Sequence, residues 1–228
     1  PILFSAESGV VIDQPNAVTG DGINLEGASH VVIEGFTVQG ASAGLIRNGL
    51  RAVRGEHVAF RNNATFDNAE RGILTGFVDD VVIEGNEAAG SVDEHGIYVS
   101  NSGDRPVIRG NYLHDNNAAG IHMNGDASAG GDGIISGALV ERNVIVNNGV
   151  GGGAGVNGDG VQDSVIRNNL IIGGHASGIT LYRIDGGEPS TGNLVVNNTV
   201  VNDSDGRWGI TINNASTGNT VVNNIFIS

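Results

Sequence analysis

GIYVSNSGDRPVIRGNYLHDNNAAGIHMN, residues Gly96–Asn124, holds one full unit of the pattern that decides this fold. It opens on a Gly-Ile pair, alternates apolar and polar residues for a few positions, and reverses at a cluster of Asn, Ser, Gly and Asp. It then runs through Val107/Ile108 to Asn111 and meets a second Gly-Ile pair at Gly120/Ile121. Alternation with period 2 between such punctuators is strand patterning, and no 3.6-residue periodicity lasts beyond a turn or two. Working outward in both directions, a Gly followed by Ile, Leu or Val recurs at Gly22/Ile23, Gly49/Leu50, Gly72/Ile73, Gly155/Val156, Gly178/Ile179 and Gly209/Ile210. The eight pairs are spaced 27, 23, 24, 24, 35, 23 and 31 residues apart by subtraction, the period of a solenoid coil.

A second column runs in step half a coil later, as two apolar residues, two others and an Asn: Asn63, Asn86, Asn111, Asn143, Asn169, Asn198 and Asn224. Similar segments stacked in parallel bury their inward side chains against the coils above and below. The inward column is expected to be Ile23, Leu50, Ile73, Ile97, Ile121, Val156, Ile179 and Ile210, joined two residues on by Leu25, Val99, Met123, Leu181 and Ile212. The Asn column predicts a ladder in which each amide donates and accepts along the axis, satisfying backbone that would otherwise be buried unpaired.

The composition narrows the function. The net charge is −14 and all 11 basic residues are Arg, so nothing here neutralises a run of phosphates, and nucleic acid and anionic membranes are excluded as partners. There is no Cys, hence no disulfide and no thiolate chemistry. No apolar run is long enough to insert in a membrane. We expect a monomer with one domain over 1–228. PILFSA at the start and IFIS at the end both read as the middle of a coil, so the chain reads as a piece of a longer protein.

These repeats resemble the pectate-lyase-like repeats of the right-handed parallel β-helix family of bacterial carbohydrate-active proteins. The resemblance implies an all-β, right-handed, single-stranded parallel β-helix (a solenoid) of about eight to nine coils with an Asn ladder. It also implies a secreted or cell-surface protein whose partner is a polysaccharide. The segment DEHGIYVS, Asp93–Ser100, is similar to a coil of alginate C5-epimerases in which an acidic-x-His-Gly-aromatic stretch lines the active groove. By that match His95 inherits the catalytic His and Asp93 the acidic residue before it. The Tyr-Gly-x-Asp-Pro-His run of that family is absent, as are the Lys of β-helix alginate lyases and the Gly-His-Gly run of polygalacturonases.

The pairs also fix which side chains face outward. The residue after each pair gives Asn24, Arg51, Leu74, Tyr98, His122, Asn157, Thr180 and Thr211, and two positions further come Glu26, Val53, Gly76, Ser100, Asn124, Asp159, Tyr182 and Asn213. With coils about 4.8 Å apart, Tyr98 and His122 are neighbours. A base, a phenol and a guanidinium together suit abstraction of the proton α to a carboxylate, the chemistry of a uronate lyase or C5-epimerase. We cast His95 or His122 as base, Tyr98 as acid, and Arg71 or Arg51 as carboxylate clamp. Asp93, Ser100, Asn124, Asp159, Tyr182 and Trp208 are candidate substrate contacts. Hydrolysis would need two carboxyls from among Asp93, Glu94, Asp126 and Asp159.

Two coils carry insertions, Asp126–Ser136 and Arg183–Thr191, which become loops rimming one side of the array. Asp126 and Asp132, in the Gly-rich first loop, are candidate Ca²⁺ ligands. His30, His57, His114 and His175 read as turn residues, and Gly149–Gly160 as a wide turn between coils. The alternative to an enzyme is a non-catalytic structural or adhesive surface solenoid.

Overall fold

The repeated glycine is there because of how closely successive coils approach. In the structure, a computed structural model describing residues 1–40 and 46–227, a Cβ placed on Gly49 would lie 2.7 Å from the carbonyl oxygen of Gly72. On Gly72 it would meet the carbonyl of Gly96 at 2.7 Å, and on Gly178 that of Gly209 at 2.5 Å. Each glycine thus lets the next coil's backbone sit directly above it. Ser228, the last residue of the closing IFIS stretch, lies outside the described residues.

The coils build three parallel sheets of nine, nine and eight strands, in which every neighbour comes from the adjacent coil. The eight-stranded sheet contains the segments that follow the glycines: Ile23–Glu26, Asn48–Glu56, Arg71–Asp79, Ile97–Ser100, Ile121–Asn124, Ala154–Asp159, Ser177–Tyr182 and Trp208–Ile212. One short 3₁₀ turn, Ala127–Ala129, is the helical element among the described residues. The wide turn expected over Gly149–Gly160 is confined to its first few residues, because Ala154–Asp159 pairs in register with its neighbours on both sides.

The core lies where the period places it. Leu50, Ile73, Ile97, Val99, Ile121, Met123, Val156, Ile179 and Leu181 are buried. Ile23, Leu25 and Ile210 are only partly buried and Ile212 is exposed, because the outermost coils of the array have a neighbour on one side only.

The Asn ladder is continuous from Asn63 to Asn224. Each Oδ1 accepts both the backbone N–H and the side-chain N–H of the preceding Asn, while each Nδ2 also reaches a carbonyl of the coil before, as from Asn111 to Ile83 at 2.9 Å. Two shorter ladders were not apparent in the sequence pattern. One joins Ser91, Asn116 and Asn148, and the other Ser164, Asn193 and Asn219. Both insertions leave from the same end of the eight-stranded sheet and bond to one another, Gly187 N–H donating to the Gly133 carbonyl and Ala127 N–H to that of Asp185.

Candidate functional site

The register of the eight-stranded sheet sets the outer face in two rows. Tyr98 stands opposite His122, with Leu74 and Asn157 beyond them, and Ser100, Asn124, Asp159 and Tyr182 form the parallel row. His95, in the bend before strand Ile97–Ser100, folds over this row, with its Nδ1 accepting the Ala119 backbone N–H at 3.1 Å. Its Nε2 lies 3.0 Å from Nδ1 of His122, whose Nε2 lies 3.4 Å from the Tyr182 hydroxyl. The Tyr98 ring packs on both imidazoles, with centroids 5.2 Å from His95 and 5.1 Å from His122, and its hydroxyl accepts a bond from Asn124 Nδ2. Residues 60 positions apart in the chain, His122 and Tyr182, meet because two coils bring them side by side.

Burial governs the electrostatics. It holds His122 down to about 4, against an opposing pull from the Asp159 carboxylate, and His95 down to about 2, reinforced by His122 and the Arg71 guanidinium. Both imidazoles are therefore neutral at pH 7. Burial pushes both phenols up, Tyr182 further through the nearby Asp159 and Asp185 carboxylates.

The arginines are placed differently from their expected role. The Arg71 guanidinium lies 4.9 Å from the centre of the Tyr98 ring, but its nitrogens are held by Glu70 at 2.5 Å and Glu94 at 2.6 Å. Arg51 donates to Glu26 and Asn24, both at 2.8 Å, with Asp21 3.8 Å away. Each is already neutralised, so neither presents an unpaired charge to a ligand carboxylate.

The remaining candidates divide. Ser100 is buried and donates to the Thr75 carbonyl. Asp93 is exposed outside the cluster. Asp159, expected to face outward, is 1 % exposed, and its oxygens accept the backbone N–H groups of Ile184, Asp185 and Gly186, anchoring the second inserted loop. The two first-loop aspartates expected to bind Ca²⁺ bond to the backbone of their own loop. Asp126 caps the 3₁₀ turn through the Ser128 N–H, and Asp132 accepts the Ile134 N–H. Among the described residues the group close enough to share a cation is instead His175, Asp203 and Asp205.

Two depressions flank the imidazoles along the sheet. One of about 270 Å³ is lined by Arg51, Arg71, Tyr98 and Ser100; the other, about 330 Å³, by Asn157, Thr180, Tyr182, Arg207 and Trp208. Arg207 escaped the sequence reading, since it falls two residues before a repeat glycine, outside the columns considered. It is exposed and, among the described residues, has no carboxylate partner. A larger depression of about 680 Å³ lies on another sheet, over a column in which Arg61, Glu84 and Arg109 pair with one another. Its lining carries three arginines, Arg61, Arg109 and Arg142, against the single carboxylate of Glu84.

The model for the right-handed β-helix region matches residues 9–131, more than half of the chain, and the chain belongs to that family. Residues 128–228 also match the model of a periplasmic copper-binding protein, NosD. The fold is that of an alginate lyase from Paenibacillus sp. str. FPU-7 (TM-score 0.73, 19 % identity, 94 % of this chain and 78 % of that one). It is likewise that of the periplasmic alginate epimerase AlgG (0.70, 13 %, 90 % and 47 %) and of a family 28 exopolygalacturonase from Yersinia enterocolitica (0.61, 16 %, 88 % and 42 %). The chain thus spans about half the length of the epimerase. No curated protein matches its sequence.

The donor chemistry of the region matched to the copper-binding model is one imidazole and two carboxylates, with no sulfur ligand, since Cys is absent and the single Met, Met123, is buried in the core. Such a nitrogen and oxygen set suits divalent cations in general and does not single out copper.

Proposed function

We propose that this is a carbohydrate-active β-helix protein, working outside the cytoplasm, that binds an acidic (uronate) polysaccharide along the outer face of the eight-stranded sheet. Its reaction is proton abstraction of the lyase or C5-epimerase type. The observation that carries this reading is the half-buried, uncharged His95–His122 pair set between Tyr98 and Tyr182 on an open face. Neutral imidazoles and phenols within hydrogen-bonding reach of one another are the apparatus for moving a proton at neutral pH. The folds it shares include proteins named for alginate lysis, alginate epimerisation and polygalacturonate cleavage. Hydrolysis is disfavoured: Asp159 is spent on loop amides, Glu94 on Arg71 and Asp126 on its own turn, leaving no facing pair of free carboxyls.

The proton α to a carboxylate becomes acidic when the carboxylate charge is neutralised. Arg207 takes this part in place of Arg71 and Arg51, with Trp208, 56 % exposed beside it, as a stacking platform for a sugar ring. The test is incubation with a panel of uronate polysaccharides, with and without Ca²⁺, following absorbance for unsaturated products and proton NMR for exchange at C5. Turnover by the wild type is expected, abolished in His122→Ala, with kcat/KM lowered about 10- to 100-fold in Arg207→Ala, the loss of one charged hydrogen bond. No change in any substrate, with His122→Ala binding the panel as the wild type does, would leave the non-catalytic solenoid.

A further inference from the structure

We propose that the His95–His122 pair is a tautomer-locked hydrogen-bond donor, and that Tyr182, rather than either histidine, exchanges the proton with a ligand in the groove. The proposal rests on the proton-transfer reading above for its chemistry, but the lock itself follows from the geometry alone.

A neutral imidazole has one N–H donor and one bare nitrogen. The Ala119 backbone N–H, which can only donate, points at His95 Nδ1, so that nitrogen is bare and the His95 proton sits on Nε2. That N–H faces His122 Nδ1, which must then accept it, and the His122 proton is left on its own Nε2, directed at the Tyr182 oxygen. The opposite order would require His95 to carry no proton at all. Adding a proton to His95 would set Nδ1–H against the Ala119 N–H. The charged and titratable groups around the pair are Arg71, Glu94 at 3.7 Å from His95 Nε2, Asp159, Tyr98 and Tyr182, and burial keeps both rings neutral among them.

A backbone amide thus determines the chemistry two side chains away. Neither histidine has a free lone pair for a substrate, so His122 donates where a base was expected. Because the Tyr182 oxygen accepts from His122, its own O–H is free to turn into the depression shared with Arg207 and Trp208. In the productive form that oxygen is a phenolate held by the His122 N–H, a form that burial and the Asp159 and Asp185 carboxylates keep scarce at neutral pH and that a rise in pH populates. It takes the proton at C5, forming O–H and breaking C5–H, and the electron pair passes into the enolate of the carboxylate beside Arg207. In elimination the enolate collapses to the C4–C5 double bond, the C4–O4 bond breaks with its pair on O4, and O4 takes the Tyr182 proton, restoring the phenolate. His95 touches no ligand in this scheme; it is a positioning residue acting through His122.

The lock is read without any substrate by ¹⁵N NMR of the histidine rings in the wild-type chain from pH 5 to 9. The expected spectrum has His95 and His122 both neutral, each with its proton on Nε2, throughout that range. A proton on Nδ1 of either ring, or a charged ring at pH 7, overturns the lock whatever the activity. His95→Leu should release His122 into a tautomer mixture, whereas His95→Gln, whose amide can still donate to His122 Nδ1, should keep it on Nε2. On any polyuronate that is turned over, kcat/KM should climb with pH beyond 8, as the phenolate fraction grows. His95→Leu should lose at least about 100-fold in kcat, and His95→Gln should recover most of it. A profile flat above pH 5 with its inflection near 4 would make His122 the base and overturn the role of Tyr182. If nothing is turned over, the spectrum alone decides the lock, and the functional reading fails separately.

Discussion

Replacing Asn111 with Ala removes one rung from the middle of the long ladder, and the structure sets what that costs. Asn111 is 1 % exposed. Its Oδ1 accepts the Asn86 backbone N–H at 2.9 Å and Asn86 Nδ2 at 3.1 Å, while its Nδ2 donates to the Ile83 carbonyl and to Asn143 Oδ1, both at 2.9 Å. After truncation the Asn111 backbone N–H keeps its bond to Asn143, and Asn86 Nδ2 keeps the Phe60 carbonyl. The Asn86 backbone N–H and the Ile83 carbonyl lose their ladder partner in a site sealed from water. At about 1–3 kcal/mol for each of these two buried groups left unsatisfied, the variant should lose about 2–6 kcal/mol. That is a large share of the roughly 5–15 kcal/mol by which domains are stable. The control is Asn224→Ala at the end of the same ladder, where solvent reaches the side chain and can replace the lost partners, so about 1 kcal/mol is expected. Urea unfolding with the slope held constant measures both. Equal losses at the two positions, or a loss below about 1 kcal/mol at Asn111, would refute the view that the ladder's value lies in satisfying buried backbone.

The remaining predictions concern the site. His122 and His95 have folded pKa values below the ordinary 6.5, so the unfolded chain takes up protons that the folded one refuses as pH falls. Their contribution is complete above about pH 6.5 and is lost as pH falls from there, down to about pH 4 for His122 and about pH 2 for His95, at up to about 1.4 kcal/mol per pH unit for each ring. Denaturation at pH 4.5 and 7.5 should show a smaller difference in His122→Gln than in the wild type. Asp159→Asn turns one of the oxygens that collect three loop amides into a donor facing an N–H. The Ile184, Asp185 and Gly186 amides should exchange with solvent at least about 10-fold faster by hydrogen-exchange mass spectrometry, with the global midpoint moved far less. Unchanged exchange there would mean that the loop is held by its contacts with the first insertion instead.

Most of the fold is legible in the sequence because a solenoid repeats its constraints. The Gly-Ile pairs fix the period, the period fixes which residues face in, and stacking turns that into the sheet register in which Tyr98 meets His122. The shorter ladders through Asn148 and Asn193 were not legible, since Ser substitutes for Asn in both and breaks the column.

The site was legible as a neighbourhood and not as a mechanism. Sequence alone determined that His95, Tyr98 and His122 lie on adjacent coils, because coil spacing is a property of the repeat. It could not determine that Arg71 and Arg51 are neutralised by Glu70, Glu94 and Glu26, nor that Asp159 is sealed under a loop. It gave no sign that Tyr182 completes the pair or that Arg207 stands, among the described residues, without a carboxylate partner. Those facts depend on side-chain direction and burial, which the tertiary structure decides where the loops fold back over the sheet. The direction of the histidine hydrogen bonds is the clearest case, for it is set by the backbone amide of Ala119, a group every residue but proline carries and no sequence motif records.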